Sequence, residues 1–301
     1  MEIKYFTNKE IDKKKWDDCI ANAANSLIYA YSFYLDAMAK NWDAMVLNDY
    51  EAVMPLTWNK KYGIRYLYQP PFTQQLGIFS KEPIAGKTEQ AFLEIIKTRF
   101  QFAEIFINIK NIYPKVKSIA NFMLALNVPY QNIYSGYKND LVKNIKHAEK
   151  FSLAYTTSEN YIEAIDIYIR EYALRTPHVK ESDYKAFKKL CGILLEKNRL
   201  LVRKVVSEKK ELLAIAIFLN DERRLYNILS TVLPAGRTTE ANHFLFDELI
   251  KEFTGKIELL DFEGSDIEGI AAFYKKFGAI NHPYYFLRYN NLPWPFKYLK
   301  Q

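Results

Sequence analysis

From Phe151 onward, apolar positions alternate between helical and strand spacing, with polar breaks between the runs. Phe151–Thr157 reads as a short strand, and Ser158 as the cap of a helix over Glu159–Ala173 with Ile162, Ile165 and Ile169 on one face. Past Pro177, Phe187, Leu190, Cys191 and Leu194 recur at helical spacing within Ser182–Lys197. Leu200–Val206, Leu212–Leu219 and Arg224–Leu233 then read as strands joined by the polar breaks 208–210 and 220–222. A loop at 234–237 leads to a helix over Thr239–Phe253, then a strand over Ile257–Phe262. Ser265 with Glu268 forms a capping-box pattern ahead of the stripe Ile267, Ile270, Ala271 and Tyr274. Lys275 and Lys276 suit a helix end, Gly278 closes it, and Ile280–Tyr289 predicts a last strand.

The first half repeats this order. Glu2–Phe6 predicts a strand and Ile11–Ala24 a helix. Ser32 stands as cap of a second helix reaching Lys40. Trp42–Leu47 and Ala52–Trp58 predict a hairpin, followed by strands at Ile64–Tyr68, Phe102–Ile109 and Phe122–Leu126. Thr88 stands as cap of the helix carrying Phe92, Ile95 and Ile96. The fold class is therefore α/β with mixed sheets in two modules, 1–150 and 151–301. Their join lies in the lysine-rich stretch Tyr137–Lys150.

Composition changes this picture little. About half the 301 residues are apolar and 26% are charged, as in ordinary globular chains. The two cysteines, Cys19 and Cys191, sit far apart in helical patterns, which predicts no disulfide framework and fits a reducing compartment. The longest apolar run, Leu212–Leu219, is too short to cross a bilayer, and the polar first ten residues carry no leader pattern, so the expected location is the cytoplasm. Charge is the more informative feature. The formal net charge is +7, with 20 Lys and Arg against 15 Asp and Glu before residue 151. A modest basic excess suits either solubility or an anionic partner such as tRNA, CoA, a nucleotide-sugar-linked precursor or a membrane surface.

Three stretches resemble Fem-type proteins. They are Gly63–Pro71 (GIRYLYQPP) followed by Gly77, Asn139–Lys150 (NDLVKNIKHAEK), and Leu260–Ser265 (LDFEGS) with Phe273–Gly278 (FYKKFG). The element order of the second half resembles the GNAT acyltransferase module. The resemblance implies two tandem GNAT-like domains and an amide-forming acyl or aminoacyl transfer. It also implies a donor seated where two central strands splay apart, an acyl-CoA or aminoacyl-tRNA serving as cosubstrate, and a peptidoglycan or other envelope precursor among the acceptor classes. No permanently bound cofactor or metal is expected, and no oligomeric state is assigned. Two departures stand out. The loop Leu233–Asn242 carries one glycine in place of the glycine-rich diphosphate loop of acetyl-CoA enzymes. Tyr274 occupies the position where some Fem enzymes carry a lysine.

Candidate residues follow from what amide formation requires, namely an aligned donor, a stabilised oxyanion and a deprotonated amine. Asn227, Ser230 and Thr231 lie on the strand before the donor loop, Asn227 and Thr231 reading on one face and Ser230 on the other. Arg237, Thr238 and Thr239 read as opening a helix suited to an anion, with Asn242 one turn in. Asp261 and Glu263, two apart on a strand, read as sharing a face, Glu263 being the base candidate and Tyr285 an acid candidate. Tyr68, Pro70, Lys143, Asn144 and Lys146 are placed toward an acceptor, and Tyr274 and Lys276 in the C-terminal motif. The four histidines show no metal-ligand spacing, and serine-hydrolase, Walker and dinucleotide motifs are absent. Two alternatives remain open: a noncatalytic ligand-binding protein that has lost the donor site, and an acetyl-CoA-dependent small-molecule N-acetyltransferase.

Overall fold

The computed structural model describes residues 2–109, 116–264 and 267–300. Two mixed sheets organise it, and they belong to two compact units that do not follow the halves of the sequence. Unit 1 comprises residues 1–119 and 283–301, and unit 2 comprises 120–282. The stretch 137–150, read from sequence as a join, lies inside unit 2.

In unit 1, strands β1 (Ile3–Phe6), β2 (Trp42–Leu47), β3 (Ala52–Lys61) and β4 (Ile64–Tyr68) form an antiparallel meander. A two-residue strand, β5 (Phe79–Ser80), pairs with β3. Strand β6 (Phe102–Ile107) joins β4 in parallel, and β7 (Lys117–Ile119) completes the early part of the sheet. Helices α1 (Lys13–Asn22), α2 (Ser32–Met38) and α3 (Gly86–Arg99) belong to this unit. Asp12 caps α1 by accepting from the Lys14 and Lys15 amides. Trp16 is fully buried, and its indole N–H donates to the Ala30 carbonyl at 2.8 Å. Ser32 lies just inside its helix and bonds Asp17 instead of capping.

Unit 2 begins with β8 (Phe122–Ala125), α4 (Tyr130–Ser135) and α5 (Asn139–Ala148). Then come β9 (Ala154–Ser158), α6 (Tyr161–Tyr172), α7 (Glu181–Glu196), β10 (Leu200–Val206), β11 (Leu212–Asn220) and β12 (Arg224–Val232). The unit closes with α8 (Pro234–Thr238), α9 (Ala241–Phe253), β13 (Leu259–Asp261), α10 (Glu268–Lys276) and β14 (Ile280–Asn281). The sheet order is β14-β8-β13-β12-β11-β10-β9. Asn160, not Ser158, caps α6 by accepting from the Glu163 amide. Phe218, Leu225, Phe246, Leu249, Leu260, Phe262 and Phe277 sit in one buried cluster that fixes α9 against the sheet.

The expected strand Ile280–Tyr289 is two strands. Pro283 cannot donate to a ladder, and the chain breaks there. Ile280–Asn281 stays in unit 2, while β15 (Tyr284–Asn290) enters the other sheet between β6 and β7. The stripe expected to bury Ile267 and Ile270 is also corrected. Both are exposed, Ile267 by 65%, because α10 packs through Phe273 and Tyr274, with Phe277 just beyond it. Ser265 of the capping-box pattern lies outside the described residues.

Candidate functional site in the second unit

Strands β12 and β13 run parallel and pair only over Arg224–Tyr226 against Leu259–Asp261. Beyond Tyr226, β12 continues along β11 to Val232, so its opposite edge turns unpaired backbone toward the gap. Within that stretch the register slips. Ile217 faces Leu229 while Phe218 faces Asn227, which leaves Ile228 as a bulge. The extra residue resets the alternation. Asn227 therefore shares a face with Ser230, and Thr231 points the other way, the reverse of the strict period-2 reading. Ser230 Oγ accordingly reaches Asn242 Oδ1 at 3.4 Å across to α9, and Thr231 is buried on the opposite face.

Asn227 is 6% exposed, and among the described residues its Oδ1 has no hydrogen-bond partner. A buried carbonyl left so costs roughly 1–3 kcal/mol, which marks a place where a donor group is wanted. Its amide meets the Tyr274 phenol. The Tyr274 ring stacks on Phe262, centroids 4.7 Å apart at 27°. Burial first, and then the charge of Glu263, hold that phenol well above the usual tyrosine range, so it is a proton donor at neutral pH. Tyr168 of α6 adds to the same field.

Glu263 stands at the end of this gap. β13 stops at Asp261, Phe262 plugs the core, and Glu263 adopts φ 64°. That left-handed position is costly for a residue with a Cβ. It is held by a hydrogen bond from the Glu263 amide to Asp261 Oδ1 at 2.9 Å. Glu263 thus leaves the strand, and the two carboxylates do not share a strand face. Burial pushes the Glu263 carboxyl up to about 8. Asp261 is fully buried and tied to Arg224 at 3.2 Å and Asn121 at 3.3 Å. Burial pushes its carboxyl up, against the pull of Arg224 and of its hydrogen bonds. Its geometry suits holding the turn, whereas Glu263 has the titration range of a base.

The donor-loop reading is corrected at Arg237–Thr239. These residues end α8 instead of opening α9. The Thr238 and Thr239 hydroxyls donate back to the Ala235 carbonyl, and Arg237 is exposed. Gly236 explains the loop's one glycine. A Cβ there would stand 2.1 Å from the Leu213 carbonyl oxygen of β11. Gly236→Ala is expected to lower stability by about 1–3 kcal/mol or more through overpacking, read as a lower urea midpoint. A midpoint within error of the parent would refute this close approach.

Helix α9 starts at Ala241 behind Glu240, which is left-handed at φ 55°. Glu240 Oε2 lies 2.7 Å from His243 Nδ1, and His243 Nε2 is 3.4 Å from the Asn144 amide of α5. His243 packs on Phe273, and burial holds its imidazole below the ordinary value despite Glu240. The sequence reading missed this pair, although Glu240 and His243 at i,i+3 on a helix start were a visible signal. Lys276 pairs with Asp140 at 2.8 Å. Lys143 and Lys146 are exposed on α5. Among the described residues no three His, Cys, Asp or Glu side chains gather as metal ligands, and no helix is long and apolar enough to cross a membrane.

No family model and no curated protein matches the chain. Solved structures do. FemX superposes with a TM-score of 0.68 at 12% identity, covering 100% of both chains. A tandem GNAT protein from the clavulanic acid biosynthesis pathway gives 0.57 at 11% identity, over 97% of this chain and 99% of that one. The C-terminal domain of a putative lysylphosphatidylglycerol synthetase from Agrobacterium fabrum gives 0.52 at 10%, over 97% and 95%. The chain has the Fem-like tandem GNAT fold.

Within that fold the two GNAT-like units treat the equivalent gap differently. In unit 1, β4 and β6 also pair in parallel over only two residues, Leu67–Tyr68 with Ala103–Glu104. Past that point the chain fills its own opening. Gln69 Oε1 accepts from the Phe106 amide, the Leu76 amide donates to the Phe106 carbonyl, and the Asn108 amide donates to the Leu76 carbonyl. Gly77 at φ 129° lies so close to Asn108 that a Cβ would stand 2.1 Å from its Oδ1. The Pro70–Gly77 stretch seen in sequence is therefore a plug. Tyr68 Oη accepts from the Lys40 amide, and Pro70 is buried beside it in sequence. Tyr285 sits on β15, its ring against the unit 1 core. The predicted residues thus divide. Asn227, Ser230, Asn242, Asp261, Glu263 and Tyr274 lie in unit 2 around the point where β12 and β13 part, while Tyr68, Pro70 and Tyr285 belong to unit 1.

Proposed function

We propose that unit 2 transfers an acyl or aminoacyl group to an amine, forming an amide. The observation that carries the reading is the position of Glu263, which turns out of the strand just past the point where β12 and β13 part, with burial pushing its carboxyl up to about 8. An amine nucleophile must lose a proton as its nitrogen bonds to the donor carbonyl carbon. A base titrating near ambient pH suits that task. The oxyanion formed on the carbonyl is met by amides on the unpaired edge of β12. As the carbon–leaving-group bond breaks, Tyr274 gives its proton to the departing atom, and Glu263 keeps the proton taken from the amine. Asn227 Oδ1 accepts from an N–H of donor or acceptor.

The donor is an acyl group activated on CoA or on tRNA, which would place the reaction in the cytoplasm. The carboxylate of Glu240 sits at the start of α9, where a CoA diphosphate would otherwise bind, and like charges compete there. This supports a donor not anchored by a diphosphate at that helix. Thermal unfolding against acetyl-CoA, longer acyl-CoAs and charged or uncharged tRNA at matched salt tests the reading. A donor at 100 times its Kd adds about 2.7 kcal/mol. Stabilisation by charged but not uncharged tRNA is the expected result. A shift with a CoA ester replaces it with the acetyltransferase reading. No shift with any donor, together with binding of a glycan or peptide precursor, replaces it with a noncatalytic one.

A further inference from the structure

The tip of the β3–β4 hairpin in unit 1 breaks its own turn chemistry. Lys61 pairs with Ile64, so Tyr62 and Gly63 form a two-residue loop, with φ 51° and 81°. Two positive φ angles mark a type I′ turn, whose first position favours Asn, Asp or Gly. An aromatic residue there is held at local cost and is nevertheless 70% exposed. Local rules are broken mainly where function is gained. The C-terminal segment of the same unit folds beside it, with the Phe296 ring 6.2 Å from that of Tyr62. Trp294 is 81% exposed and Tyr298 64%. Tyr66, Phe102, Ile64 and Leu292 line a small apolar cavity of about 160 Å³ between hairpin and tail.

Charge completes the pattern. No Asp or Glu occurs between Ala52 and Lys81, and none follows Glu268. Lys61 reaches over the Tyr62 ring at 5.3 Å, and Lys297 is exposed between Phe296 and Tyr298. The arginine of the hairpin, Arg65, faces away and stacks on Trp58 at 4.4 Å.

We infer that this tip is an interfacial docking surface for an anionic lipid bilayer. Tyr and Trp rings with an apolar body and a polar edge settle at headgroup depth, and lysines beside them meet lipid phosphates. Single-stranded RNA is the weaker fit. Its recognition favours arginine with flat stacking faces, whereas this surface presents lysines around an aliphatic-lined cavity.

The test is cosedimentation of the full chain with vesicles of phosphatidylcholine alone or containing phosphatidylglycerol. Binding to the anionic vesicles that weakens with salt is expected. Lys61→Glu with Lys297→Glu should lower partitioning by at least about twenty-fivefold, since each lysine near an anionic surface contributes about a factor of five and the new carboxylates are repelled. Trp294 adds an independent readout, because Trp16 and Trp42 are buried and Trp58 is half-buried with Arg65 stacked on its ring. Its emission should shift to the blue on vesicle addition, and Trp294→Phe should abolish the shift while retaining sedimentation. All these side chains are exposed, so the variants should keep the parent's circular dichroism. The inference is overturned by no sedimentation with anionic vesicles, by sedimentation indifferent to the two lysine reversals, or by an RNA affinity that those reversals abolish without any vesicle binding.

Discussion

Glu263→Gln is expected to reduce amide-forming turnover by about 10²–10⁴-fold while leaving the fold in place. Gln matches the carboxylate in size and can still hydrogen-bond, but it takes no proton from an amine. The parent rate should rise with pH and level off above about 8, as Glu263 ionises. The variant's residual rate should lose that inflection. Stability should move oppositely. The folded-state pKa lies above the unfolded value, so between about 4.5 and 8 the folded chain holds a proton that the unfolded chain has released. Stability therefore falls as pH rises through that window and is flat above it. Gln cannot ionise and escapes this loss. The full shift corresponds to at most about 5 kcal/mol, and on the order of 3 kcal/mol is reasonable for a residue that keeps some exposure. Initial rates and urea midpoints from pH 5 to about 9 check both halves. A variant with parental turnover, or one no more stable than the parent at the alkaline end, would sink the assignment.

Asp261→Ala should do the reverse, with its main effect on stability. Arg224 is mostly buried, and in the variant its guanidinium loses its carboxylate partner. Breaking such a pair from one side costs about 3–5 kcal/mol. The Asn121 amide and the Glu263 turn lose their acceptors at the same time. Urea unfolding followed by circular dichroism should show the loss, and Asp261→Asn should recover part of it by keeping an acceptor. If Asp261→Ala unfolded at the parental midpoint and were merely inactive, the residue would be catalytic in its own right and its structural role would be wrong. The pair of variants thus separates two carboxylates that stand two residues apart in sequence.

The sequence showed most of the element order because the polar breaks are short and the periods long. β10, β11 and β12 appear within a residue of their expected bounds. Four features escaped it for identifiable reasons. The bulge at Ile228 leaves no mark in a run of strand-forming residues, yet it decides that Asn227 and not Thr231 faces the gap with Ser230. In helix α10 Ala271 and Tyr274 of the expected stripe do pack on the core, but packing brings in Phe273 where the spacing places Ile267 and Ile270. Glu263 reads as the base because Asp261 lies deeper in the strand. The left-handed turn at Glu263 is held by the Asp261 carboxylate, and its raised pKa comes from burial by packing that is far from local in sequence. Pro283 was the readable warning, since a proline inside an expected strand argued for the break that the structure has.

The path of the chain through the two sheets has a consequence for the order in which a ribosome delivers them. β6 is flanked on one side by β15, a strand encoded after the whole of unit 2. Until that strand emerges, the unit that opens the chain has an unpaired apolar edge running through Ala103, Ile105 and Ile107. Unit 2 is continuous and can close as soon as residue 282 is clear. The N-terminal unit, synthesised first, is the last to finish, and it waits through synthesis with an exposed edge that invites pairing with another nascent chain.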